Sequence, residues 1–167
     1  MKFVERCKQM AKAGLELKNL KSFPTRDGEA WSCTVYLNGK KLGGVDHAGH
    51  GGCLDMELST ADQTAVVEAI KAAGYAPHLE FNGTVLDGPK NDYGFLEWAL
   101  ADLSAAATEL KTFKRKAKKC LLLVLKGAEE GEYQQYNAPY TPEFADKVRA
   151  KLGDKIDFII NEEISAL

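Results

Sequence analysis

The chain lacks any paired cysteine motif. Its four cysteines, at positions 7, 33, 53 and 120, are widely scattered and none stands in a C-x-x-C, which excludes a redox dithiol or a four-thiolate zinc knuckle. Long apolar runs are missing too. The longest, Cys120 to Leu125, is far short of the roughly 20 residues that span a bilayer. The N-terminal stretch MKFVERCKQMAKAG is charged every few residues, where a signal peptide would be uninterruptedly apolar. A soluble, cytoplasmic protein with reduced thiols and no membrane association is therefore expected. Motifs tied to one chemistry are also absent: there is no G-x-S-x-G, no H-E-x-x-H and no G-K-[ST] phosphate loop. No cofactor is expected. Charge of one sign is not in strong excess, the net being −2. Lys111, Lys114, Arg115, Lys116, Lys118 and Lys119 supply +6, leaving −8 for the remainder, so a broad basic surface for nucleic acid is not expected.

What is present describes an α+β fold. The 167 residues suit one compact domain over 1–167, burying about 70% of its unfolded surface. If there are two lobes, 1–74 and 92–167, the loop 75–91 is their natural boundary, and no internal repeat or long linker interrupts either. Phe3, Val4, Cys7, Met10 and Ala11 have helical spacing, and Gly14 suits the helix end. A strand follows from Leu15 to Lys21, its alternation slipping at Asn19, before Pro24 and Asp27-Gly28 mark a turn. From Ala30 to Leu37 the alternation is clean, and Asn38-Gly39 then signals a tight hairpin. A return strand is expected from Lys40 to Val45, and a third strand of an antiparallel β-meander from Cys53 to Leu58.

Thr60-Ala-Asp-Gln63 reads as a capping box that opens a helix ending at Gly74. The stretch 75–91, with Pro77, His78, Asn82-Gly83, Asp87-Gly88 and Pro89, reads as loop with a short strand or hairpin around Glu80 to Leu86. An apolar stripe from Phe95 to Phe113 makes residues 93–118 the long central helix. The C-terminal segment is β-(β)-α-β: a buried strand at Cys120 to Leu125, an edge partner at Tyr133 to Tyr136, a helix opened by Thr141-Pro142 and closed by Gly153, and a final strand from Lys155 to Asn161.

Chemically capable side chains are densest in Asp46-His-Ala-Gly-His-Gly-Gly-Cys53. His47, His50 and Cys53 have side chains of the types that ligate zinc, but all three come from one segment, whereas a structural site draws ligand pairs from separate ones. The same histidines, with Cys53 as nucleophile, would suit acid–base or covalent chemistry only if neighbours so close in sequence aimed at one atom. Gly49, Gly51 and Gly52 could instead form a nest of backbone amides for an anion, with Lys40 or Lys41 at the phosphate of a small nucleotide-like ligand. The plainest reading is a tight connection whose glycines permit left-handed backbone.

The basic run ending the long helix complements the helix dipole as a solvated end. Read as a contact, it offers Lys114, Arg115 and Lys118 to an acidic protein or a nucleic acid. Tyr133, Tyr136 and Tyr140, beside Glu129, Glu130 and Glu132, suit either a partner surface or the flank of a sheet.

The stretch from Phe23 to Gly43 with the later Gly49-His-Gly-Gly52, and Ala138-Pro-Tyr-Thr-Pro-Glu143 with Asp157-Phe-Ile-Ile-Asn-Glu162, resembles a loose group of small uncharacterised proteins encoded by bacteriophages and other bacterial mobile elements. The resemblance spans residues 15–58 and 120–163. It brings no active site, and it implies that the loop glycines belong to the pattern more than His47 and His50 do. Together these features favour a non-enzymatic phage or mobile-element accessory protein that binds a host protein or protein complex, an anti-defence inhibitor. The alternative is a small-ligand protein that sequesters or hydrolyses a nucleotide-like anion at the glycine loop. A homo-oligomer is left open.

Overall fold

The computed structural model describes residues 1–77, 79–81, 84–86 and 88–167, with the backbone course alone for 79–81 and 84–86. The expected turn residues Asn82, Gly83 and Asp87, and the loop histidine His78, lie outside them. The fold is α+β, with an N-terminal helix, an antiparallel meander, a long helix and a C-terminal strand–helix segment. Its contacts form two compact units, residues 6–107 and residues 1–5 with 108–167. The division passes through the first helix and the long helix, and the segment 75–91 lies inside the larger unit. Tyr75 anchors that segment: it is 4% exposed, donates to Asp102 Oδ2 at 2.9 Å and lies under the Arg6 guanidinium.

In the larger unit, strands β1 (Leu15–Pro24), β2 (Glu29–Leu37), β3 (Lys40–His47) and β4 (Asp55–Met56) pair in sequence order, after helix α1 (Lys2–Ala13). Cys33 and Val35 enter the core and Trp31 and Leu37 pack against it, which is the face the alternation selects. The slip at Asn19 is a bulge: the β1–β2 register shifts between Lys18 and Lys21, and Asn19 takes φ +55°. β1 continues past it to Pro24. Bulge, lysines and proline all blunt this edge against pairing with another chain. Asn38 and Gly39 both have positive φ, as the tight hairpin turn requires.

β3 runs two residues beyond Val45, so Asp46 and His47 belong to a strand and not to the loop. The third return strand, expected over Cys53 to Leu58, pairs only at Asp55 and Met56, because Glu97 of the long helix takes the Leu54 N–H at 2.9 Å. Helix α2 (Thr60–Ala72) is capped by Ser59, not Thr60: Ser59 Oγ accepts the Asp62 N–H and donates to the Asp62 carboxylate. Gln63 does reach back, to the Leu58 carbonyl. A hairpin of β5 (Leu79–Phe81) and β6 (Thr84–Leu86) follows. The long helix α3 (Asp92–Ala117) then buries Phe95, Leu96, Ala99, Leu100 and Leu103 in this unit's core.

In the smaller unit, β7 (Leu121–Leu125) is the middle strand between β8 (Gln134–Tyr136) and β9 (Ile156–Ile159), all antiparallel. Leu121, Leu122, Leu123 and Val124 are buried in succession, the pattern of a strand covered on both faces. Thr141 caps α4 (Pro142–Leu152) and Gly153 ends it. The final strand stops at Ile159 rather than Asn161, and Ile160–Ser165 form a further helix, α5. Ile160 and Ile164 sit one helical turn apart, both buried. Asn161 turns inward, accepting the Leu122 N–H at 2.7 Å and donating to the carbonyls of Cys120 and Ala117. Among the described residues no helix is long and apolar enough to cross a membrane.

Candidate functional site

The glycine-rich loop is built into its own sheet. Gly49 is buried at φ +80°, and a Cβ there would lie 2.7 Å from the Ala30 nitrogen and 2.9 Å from Thr25 Oγ1. Its carbonyl accepts from the Thr25 hydroxyl at 3.1 Å. Gly49 is therefore a packing glycine, lodged against the β1–β2 turn. Gly51, at φ +78°, has nothing within reach of an added Cβ, so only its backbone conformation calls for glycine.

The two histidines part company. His47, in β3, stacks on Trp31 with ring centroids 6.0 Å apart. Its Nδ1 lies 3.2 Å from the Glu29 carbonyl oxygen, which can only accept, so the proton is on Nδ1. His50 is exposed in the loop and Cys53 is exposed beyond it. Among the described residues no group of three or more His, Cys, Asp and Glu side chains is placed to hold a metal ion.

Lys40 and Lys41 do not join the glycines. They begin β3 while the glycines follow its end, and about 20 Å of extended strand separates Lys41 from His47. Lys40 instead lies 3.5 Å from Asp62. The Ser59 hydroxyl first, and the Lys40 ammonium after it, hold the Asp62 carboxyl below its ordinary range. The combination of loop amides and lysines expected to grip a phosphate is thus not assembled.

At the end of α3 the six cations also divide. Lys116 turns inward and donates to the Tyr133 hydroxyl at 2.6 Å, with Tyr133 edge-on to the buried Phe113. Tyr136 packs edge-on to Phe144. Both tyrosines, expected at a partner surface, are half-buried and serve their own unit's packing. Lys114, Arg115 and Lys118 stay exposed.

Lys114 and Lys118 rim a groove of about 540 Å³. Its walls are Ala117 from α3, Pro139 and Tyr140 opposite, and Asn161, Ile164, Ser165 and Leu167 from the C-terminal end. The carboxylate that holds Tyr140 is already taken. Glu162 accepts the Tyr140 hydroxyl at 3.0 Å and both its oxygens lie 2.6 Å from Arg149 Nη2. Partial burial, and then the Glu162 bond, push the Tyr140 hydroxyl above its usual range. The groove thus offers an apolar floor and two cations that have no ion-pair partner among the described residues.

Sequence reasoning did not find Asn161 as a wall of this groove, nor the Glu162–Arg149 pair that holds Tyr140. The spacing of Ile160 and Ile164 was the available signal, since a helix there turns Asn161 toward α3. No family model, curated protein or solved structure matches the chain.

Proposed function

We propose that the chain is a non-enzymatic accessory protein of a bacteriophage or other mobile element that binds a host protein in the cytoplasm and blunts a defence system by occupying it. The observation that supports this reading is the open groove at the end of α3, apolar in its floor and rimmed by Lys114 and Lys118. The loop richest in reactive side chains contrasts with it, since Gly49 and His47 are engaged by the sheet that carries them. The resemblance of residues 15–58 and 120–163 to mobile-element proteins supplies the biological setting.

The test compares affinity capture from bacterial lysate by the wild-type protein and by the Lys114→Glu/Lys118→Glu variant. One host protein or complex should be retained by the wild type, weakened by added salt and lost from the variant. Host cells carrying the captured defence component should regain phage sensitivity when the wild-type protein is expressed. Retention of no specific host protein by the wild type sinks the proposal.

A further inference from the structure

We infer that the groove at the end of α3 receives an acidic peptide segment of a protein partner, an aliphatic or aromatic side chain resting on Ala117, Pro139 and Leu167 and flanking carboxylates meeting Lys114 and Lys118. This inference rests on the binding-protein reading and names the partner's chemistry. Lys114 stands in the last turn of α3 and Lys118 directly after its end, both on the rim of the groove, so their ammonium groups serve two carboxylates at neighbouring positions of one bound segment.

Three features of the groove select a carboxylate-bearing peptide. First, the two lysines are exposed and without an ion-pair partner among the described residues, whereas Glu162, which accepts from the groove residue Tyr140, is also gripped by Arg149. Second, the end of a helix ordinarily repels anions through its unsatisfied carbonyls; Asn161 donates to the carbonyl of Ala117, the last residue of α3, and removes one such acceptor. Third, the groove is open and carries Ala117, Pro139 and Leu167 on its surface, which suits a peptide side chain laid on it from outside rather than an enclosed ligand. A nucleic acid asks for a track of cations following its phosphates. Here Lys116 is withdrawn to Tyr133, and only Lys114 and Lys118 of the exposed cations line the groove.

Selection from a random short-peptide display library against the full-length chain tests the inference, followed by fluorescence anisotropy with the strongest selected peptide. The enriched peptides should carry Asp or Glu beside one large apolar residue. Lys114→Glu/Lys118→Glu should weaken binding by about tenfold or more, and Leu167→Ser should weaken it through the floor, with circular dichroism unchanged in both. No enrichment, enriched peptides without acidic residues, or binding that neither variant alters overturns the inference, as does displacement of the selected peptide by single-stranded DNA or RNA. If lysate capture retains a host protein equally in the variant, the binding-protein reading stands and the groove assignment falls. If peptides select the groove but no host protein is captured, the groove's chemistry stands and the wider reading falls.

Discussion

Two regions of this protein concentrate polar and ionisable side chains, the stretch 46–53 in the larger unit and the stretch 111–119 in the smaller, and they spend them differently. In the first, His47 lies on Trp31 with its Nδ1 at the Glu29 carbonyl, and Gly49 is wedged against Thr25 and Ala30. In the second, one cation, Lys116, is drawn into the packing by Tyr133, while Lys114 and Lys118 are left beside an apolar groove. What counts is which groups the fold leaves without an internal partner, and next to what surface.

The contrast can be broken most sharply at Gly49. Gly49→Ala should cost about 3 kcal/mol, because it adds a clash with backbone atoms to the strain of a left-handed residue. Gly51→Ala carries the strain alone and should cost about 1 kcal/mol. Urea unfolding of both variants measures the difference, and equal losses would remove the packing role given to Gly49.

In the second region the corresponding structural residue is Asn161. Asn161→Ala leaves the Leu122 N–H and the Ala117 and Cys120 carbonyls without this partner and should destabilise by about 2 to 3 kcal/mol. A loss below about 0.5 kcal/mol would mean that water replaces the amide and that the groove's back wall is soft.

Alkaline pH probes the first region again. Burial, and after it the field of Asp46, raise the Cys33 thiol from its ordinary value near 9 to about 11. The unfolded chain therefore loses this proton first, so stability is full below about pH 9 and declines toward pH 11, by about 2 kcal/mol from this group. Tyr75, whose hydroxyl is raised chiefly by burial and then by Asp102, adds to the decline at higher pH. Cys33→Ala should flatten but not abolish the slope of unfolding free energy against pH. An unchanged slope would show that the thiol does not titrate differently in the folded state.

The smallest effects are expected where the two regions are exposed. His50→Ala and Lys114→Glu/Lys118→Glu should each change stability by no more than about 0.5 kcal/mol, although the lysine variant should weaken the proposed binding by about tenfold or more. Zinc should leave the thermal midpoint of the wild type unmoved, since a ligand at about 100 times its dissociation constant would add about 2.7 kcal/mol. A clear upward shift would restore His47, His50 and Cys53 as ligands.

Much of the architecture was legible because the signals are local. Asn38-Gly39 makes the hairpin, Thr141-Pro142 opens α4, and the run at Leu121 to Val124 is buried on both faces, each decided within a few residues by turn chemistry, capping or alternation. Boundaries were legible only where no distant group intervened. Ser59 rather than Thr60 caps α2, a shift of one residue between neighbouring hydroxyls that composition does not separate. Leu54 leaves the expected strand because Glu97 claims its N–H. The end of β9 moved because Asn161 bonds to Leu122, which lies 39 residues away.

The sequence by itself determined the α+β class, the order of the elements up to β9 but not the closing helix α5, and the amphipathic faces, since periodicity and turn propensity act through neighbours along the chain. Tertiary structure alone decided that Gly49 is lodged against Thr25 and Ala30, that Tyr133 holds Lys116, and that Lys114 and Lys118 face an open apolar floor. Those outcomes depend on distances between residues remote in sequence, and a charge or a glycine takes on a role only from what the fold sets against it.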